Sequence, residues 1–357
     1  MFNGNQDSGR KFYAYITPFI IVIGLCGNLI SLRVFMARTL RKLSASVYLA
    51  AISLSDSFVL IFYVLFPWLS KGLPVVSDGY RVRIMDTARV CESLLFFTYL
   101  CRFVSVWLIV TFTVERYIAA CRPLQRRVIC TKAFGRKAIA LTCLIGCLFS
   151  LYKPLVSGVF TREELVGPNT STTLGNSATE GTCMANPEYK RINFIMDTMY
   201  GLTTTAIPFI VISIFNLLIV RTLIRRDATI KKLKIMFKDS RIRWEFTIML
   251  LVVSSCYVCL NLPYFVLWCQ QFLFTHNINE SDMMDGIVEV ESTKYSVILP
   301  VTRTIYTLNY SVNFFLYCLT GGYYRGALVA LFTGSKETNQ LSFRTPSTNS
   351  CTRESRL

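Results

Sequence analysis

Seven stretches of mostly apolar residues, near 15–37, 47–69, 94–121, 138–160, 194–220, 246–274 and 297–319, alternate with polar segments along the chain. Each reaches about the twenty residues that a helix rising about 1.5 Å per residue needs to cross a bilayer. A soluble core helix would be shorter and show a polar face. In lipid only helices or closed barrels satisfy every backbone polar group. The pattern predicts an all-α membrane protein, a bundle of seven transmembrane helices. Of the 357 residues, 53% are hydrophobic and only 17% charged, which is too apolar for a soluble domain of this size.

The segments between the runs set the orientation. Those after the first, third and fifth runs hold eighteen Lys and Arg, and those on the opposite side hold ten. Basic residues favour the cytoplasmic side, so the N-terminus is expected outside and the C-terminus inside, in the plasma membrane. The net charge of +17 is mostly this asymmetry plus a basic tail and does not call for nucleic acid. Residues 1–14 show neither an apolar core nor a small-residue cleavage site, so no removable signal peptide is expected. The expected organisation is an extracellular N-terminus at 1–14, a membrane domain at 15–332 and a disordered cytoplasmic tail at 333–357. Within the membrane domain, 321–332 reads as a short amphipathic eighth helix with Tyr324, Leu328 and Leu331 toward lipid.

The third run starts just after Cys91 and closes on Glu115-Arg116-Tyr117, then Cys121-Arg122-Pro123-Leu124. Alone, such a triplet reads as an interfacial charge pair that snorkels to water. A cysteine twenty-four residues ahead of it, with Gly27-Asn28 in the first run, Asp56 in the second and N-F-F-L-Y at 313–317 in the seventh, resembles the rhodopsin-like (class A) G-protein-coupled receptors. The resemblance covers about 15–330. The chain departs from the family pattern at Asn216, Asn261 and Phe314, where many relatives carry tyrosine, tryptophan and proline, and in a fourth helix without tryptophan. These departures resemble invertebrate neuropeptide receptors of the FMRFamide-like and CNMamide types, as do the runs at 40–51 and 104–117.

The resemblance implies a cell-surface receptor for an outside ligand, coupled to a heterotrimeric G protein through Glu115, Arg116, Tyr117, Pro263, Asn313 and Tyr317. It implies a disulfide between Cys91 and Cys183, and most other cysteines fall in helices or on the reducing side, where disulfides are rare. Asp56, Ser105, Asn309 and Asn313 form a candidate site for an allosteric sodium ion, since oxygen ligands around one carboxylate suit a hard cation; the alternative is a hydrated hydrogen-bond network. No other metal and no required cofactor are expected. Thr98 stands where amine receptors carry aspartate and Thr307 where visual pigments carry lysine, which argues against an amine or retinal.

The residues themselves point to an outer pocket. Positions 98, 102, 105, 109, 112 and 116 share one helical face. Thr98, Tyr99 and Arg102 meet Tyr264, Trp268 and Gln271 of the sixth run and Arg303 and Tyr306 of the seventh. Buried arginines inside a membrane need partners: Glu92 or Asp197, or a ligand carboxylate or carbonyl. Glu280, Asp282, Asp285, Glu289 and Glu291 crowd the last outer loop and read either as a solvated loop or as an acidic mouth for a cationic ligand. Together these favour a short peptide ligand; the alternatives are a small organic anion or lipid and, from another class, a transporter or channel. Asn169 and Asn279 head glycosylation sequons on outer segments. The tail, rich in Ser and Thr, suits phosphorylation and an arrestin, and its end at Leu357 suits a PDZ domain. The single histidine, His276, and the lack of paired catalytic carboxylates or a phosphate loop argue against an enzyme. Where relatives hold the triplet arginine with an acid of the sixth helix this chain has Arg243, with Glu245 turned away, so Arg116 is expected to pair only with Glu115 or with non-acidic groups.

Overall fold

A computed structural model describes residues 2–333 except Thr39, Asp78, Arg81, 161–180, 234–237 and 278–286; at 2–7, Pro123, Arg127, 226–233, 238–243, 271–277 and 287–297 only the backbone is described. The elements run α1 (Phe2–Met36), α2 (Ser44–Val59), α3 (Phe66–Lys71), α4 (Leu73–Val76), α5 (Ala88–Cys121), α6 (Pro123–Ile129), α7 (Lys132–Ser150) and α8 (Tyr152–Leu155). They continue with β1 (Ser157–Phe160), β2 (Thr182–Ala185), α9 (Lys190–Gly201), α10 (Ile207–Leu233), α11 (Lys238–Asn277), α12 (Ile287–Leu308), α13 (Asn313–Thr320) and α14 (Gly322–Thr333). Among the described residues six spans are long and apolar enough to cross a membrane, and α12 with α13 covers the seventh run. The third span, α5, packs against α2, α7, α10 and α11 and is the axis of the bundle. Its buried Leu108, Ile109 and Phe112 share one core with Tyr48, Ile52, Leu250 and Val253.

The first helix begins at Phe2 instead of near residue 15. Leaving the bilayer does not by itself end a helix, and no proline interrupts 2–14. The extension docks where Trp68 Nε1 donates to the carbonyl of the buried Ala14 at 2.8 Å.

Two spans are interrupted in the same way. Between α2 and α3 the turn at Leu60–Leu65 widens to π geometry, with the Phe66 N–H reaching Ile61 O, and Pro67 follows. Between α9 and α10 the turn at Leu202–Ala206 widens likewise, with the Ile207 N–H reaching Leu202 O, and Pro208 follows. Proline has no N–H and its ring crowds the preceding turn, so in each π register one carbonyl, Phe62 O or Thr203 O, loses its helical partner. Both are satisfied from α5: Thr98 Oγ1 donates to Phe62 O at 2.9 Å and Trp107 Nε1 to Thr203 O at 3.1 Å.

The seventh span breaks without a proline. At 309–312 the backbone tightens, with the N–H groups of Asn309, Tyr310 and Ser311 reaching the carbonyls three residues back. Asn28 Nδ2 donates to the Tyr310 carbonyl at 2.8 Å and supports the break from α1. Gly24 and Gly27 allow the approach, since a Cβ on them would sit 2.8 Å from Ser311 and from Phe314 respectively.

The eighth helix forms, but Tyr324 does not face lipid. It is fully buried, its hydroxyl hydrogen-bonded with Ser31 at 2.9 Å and its ring 5.2 Å from Phe35. A tyrosine carries a polar tip, and here the interior of the bundle offers that tip a partner. Val329, Leu331 and Phe332 form the exposed apolar side of α14.

Candidate functional site

In the outer half of the bundle, Arg102 of α5 and Arg303 of α12 converge on one ring. Their guanidinium carbons lie 4.4 and 4.9 Å from the centre of Tyr63. Arg102 also donates to the Tyr306 hydroxyl at 3.5 Å and lies 5.8 Å from the Tyr200 ring, and its Nε is buried without a hydrogen bond. Tyr306 hydrogen-bonds Tyr310 and lies 5.2 Å from Tyr264. Among the described residues the ion pairs are Arg116 with Glu115 and Lys153 with Asp197, so neither outer arginine has a described carboxylate.

Asp197, one expected partner for these arginines, is taken. Lys153 of α8 binds it at 2.8 Å, and the hydroxyls of Tyr99 and Tyr152 donate to it at 2.9 and 2.8 Å. Tyr99 is thereby committed to the α5–α9 contact. Thr98 is committed to Phe62 O. Trp268 lies against Gly201 of α9, where a Cβ would stand 2.9 Å from the ring, so it packs on the fifth span. Of the expected pocket residues, Arg102, Tyr264, Arg303 and Tyr306 come together, while Thr98 hydrogen-bonds Phe62 O, Tyr99 hydrogen-bonds Asp197 and Trp268 lies against Gly201; the side chain of Gln271 lies outside the described residues.

Sequence reading missed Tyr63 and Lys153. Tyr63 stands seven residues, two helical turns, above the inward-facing Asp56, which was a usable signal. Lys153 is a lone cation within the fourth apolar run, which by itself asks for a buried partner.

Deeper in the bundle, Asp56 is 1% exposed and accepts from Ser105 Oγ at 2.6 Å and from Asn313 Nδ2 at 2.7 Å. Asn309 is buried, but among the described residues it gives Asp56 no hydrogen bond, because the break places it in a tight turn. At the inner end Arg116 pairs with the adjacent Glu115 at 2.7 Å and reaches Ser44 at 3.4 Å. Glu245 accepts from the Tyr323 N–H of α14 at 3.2 Å, which holds it away from Arg116. Tyr117 packs on Phe215 at 4.9 Å, Pro263 lies inside α11, and Tyr317 is fully buried 5.1 Å from Phe35. Just beyond α6, Cys130 Sγ donates to the Glu115 carbonyl, and burial pushes its thiol up to about 11, so it stays protonated.

At the Cys91 end of α5 the Cys91–Cys183 disulfide forms, with Cα atoms 5.7 Å apart. Its second cysteine sits on an antiparallel hairpin that the sequence did not announce, with Val159 opposite Cys183. Asp86 accepts from the Cys183 N–H at 3.3 Å. Asn169, Asn279, Glu280, Asp282, Asp285 and the tail to Leu357 lie outside the described residues, as do the side chains of Arg243, His276, Glu289 and Glu291.

The sequence profile described as 7 transmembrane receptor (rhodopsin family) matches residues 27–317. The chain belongs to this family. The receptor is 22% identical to an FMRFamide receptor of Drosophila melanogaster over 87% of its own length and 52% of that protein's. It is 28% identical to the thyrotropin-releasing hormone receptor of Mus musculus over 36% of this chain and 31% of that one. It is 28% identical to the cholecystokinin receptor type A of Mus musculus over 41% and 32%. The receptor thus spans about half the length, or less, of these relatives. It is a multi-pass membrane protein of a receptor family.

Proposed function

We propose that the protein is a plasma-membrane receptor for a short peptide, N-terminus outside, that activates a heterotrimeric G protein. The observation that carries this reading is the pair of guanidiniums on Tyr63 without a described carboxylate. A cation on a desolvated ring gains up to about 2 kcal/mol, less than the desolvation of a buried charge costs. Peptide carbonyls or a carboxylate supply the missing acceptors, and the tyrosines around Arg102 supply aromatic walls. Relatives named for FMRFamide, thyrotropin-releasing hormone and cholecystokinin support a peptide over a lipid or a transported solute.

Signalling runs by population shift: the peptide binds better to the form whose inner face, around Arg116 and Tyr117, is open to the G protein. A sodium ion at Asp56, with Ser105 and Asn313, favours the closed form. The tail offers an arrestin its phosphorylated Ser and Thr, and a PDZ domain its end at Leu357. The test is GTPγS binding to membranes of cells expressing the full chain, screened against a neuropeptide collection, with Arg102→Ala and Arg303→Ala beside the parent. A peptide agonist weakened by both variants supports the reading. Activation by a lipid or small acid alone, with no peptide active, overturns it.

A further inference from the structure

A cavity of about 430 Å³ opens between the outer ends of the first, second and seventh spans, beside the Tyr63 cluster. Among the described residues that line it are three cations, Arg10 of α1, Lys71 of α3 and Arg303 of α12, together with Tyr13 and Ser70. Among the described residues no acidic one lines it. Neither described ion pair involves the three cations. Lys71 and Arg303 stand near enough to repel one another. Of the three, Arg303 is partly buried and bound up with the Tyr63 ring, so its guanidinium is held in place, while Arg10 and Lys71 are exposed at the entrance.

We propose that this cavity is a carboxylate-binding subsite of the ligand pocket, and that the activating peptide carries an acidic group which seats there. The proposal rests on the peptide reading above and adds the chemistry of one contact. Arg303 presents the planar fork that matches a carboxylate, Lys71 and Arg10 add point charges, and Tyr13 and Ser70 can each donate a hydrogen bond. The volume lies within the range of small-ligand pockets, about 300–1,000 Å³. That is room for an acidic side chain or a terminal carboxylate with its flanking residue. An anion also relieves the repulsion among these described cations, so its binding is favoured before any apolar contact is made.

The experiment uses the full chain in neutral phosphatidylcholine nanodiscs at physiological ionic strength, with 3-phenylpropionate and its uncharged amide as probes. The carboxylate is expected to raise the melting temperature saturably while the amide does not. Lys71→Gln should weaken the carboxylate at least tenfold, and Lys71→Glu should abolish its effect. Equal behaviour of acid and amide, loss of the effect with added chloride, or a parent-like Lys71→Glu variant overturns the subsite. Once an agonist peptide is known, replacing its carboxylates by amides should cost at least tenfold in the parent and clearly less in Lys71→Gln. An agonist indifferent to both changes sinks the subsite and leaves the peptide reading standing. Carboxylate binding that depends on Lys71, with no active peptide, keeps the subsite as a free-acid site and ends the peptide reading.

Discussion

Thr98 donates its hydroxyl to Phe62 O, the carbonyl that Pro67 leaves without a helical partner. Nine residues further along α5, Trp107 does the same for Thr203 O ahead of Pro208. The third span is therefore fastened to the second and the fifth at their two weakest backbone points. Thr98→Val and Trp107→Phe keep most of the shape and remove one donor each. A buried carbonyl left unpaired costs about 1–3 kcal/mol, and nine residues put the two sites about 13 Å apart, so the losses should add. Melting temperatures of the purified single and double variants measure this. Unchanged melting in both singles would show that water takes over the carbonyls.

The Cys91–Cys183 bond ties α5 to the β1–β2 hairpin. Closing a loop this long stabilises by about 2–4 kcal/mol, mainly through the unfolded chain. Cys91→Ser and Cys183→Ser should each abolish surface expression or ligand binding, and the double variant should be no worse than either single. Flow cytometry on an N-terminal tag reads this directly; normal display of either variant rejects it.

Lys153 is 8% exposed and Asp197 33%, so their pair is partly screened. Lys153→Met leaves Asp197 with its two tyrosine donors and should cost about 1–2 kcal/mol, below the 3–5 kcal/mol of a fully buried pair. Adding Asp197→Asn should recover part of the loss, because the orphaned charge is gone. A double variant less stable than Lys153→Met would mean that the carboxylate serves the tyrosines more than the lysine.

With Glu245 held by the Tyr323 N–H and Arg116 by Glu115, no acidic latch joins the third and sixth spans at the Arg116 end of α5 among the described residues. Less energy then separates the closed and open forms. Appreciable ligand-free GTPγS binding is expected, reduced by Arg243→Glu. Basal binding equal to that of untransfected membranes counts against this.

Asp56 already holds two donors, Ser105 and Asn313, in a site of one net negative charge. If sodium completes that site, raising sodium at constant ionic strength should lower agonist affinity in the parent but not in Asp56→Asn. A sodium effect that survives the substitution places the ion elsewhere.

Much of this was written in local pattern. Seven apolar runs, the Glu115-Arg116-Tyr117 triplet, Asp56 and the cysteine pair are features of composition and spacing along one segment at a time, and bilayer thickness and backbone hydrogen bonding convert them into spans without further information. What pattern could not decide is which neighbour each inward side chain meets. A π turn shifts every residue beyond it by one place on the helix. The widened turns before Pro67 and Pro208 thus decided that Tyr63 lies beside both arginines and that Thr98 caps the Phe62 carbonyl. Asp197 chose Lys153 over Arg102 because the second outer segment and the fifth span fold toward α8, and Tyr324 turned inward because Ser31 waits for its hydroxyl. These are contacts between residues far apart in sequence, each settled by competition among several possible partners, and only the packed bundle holds all the competitors at once.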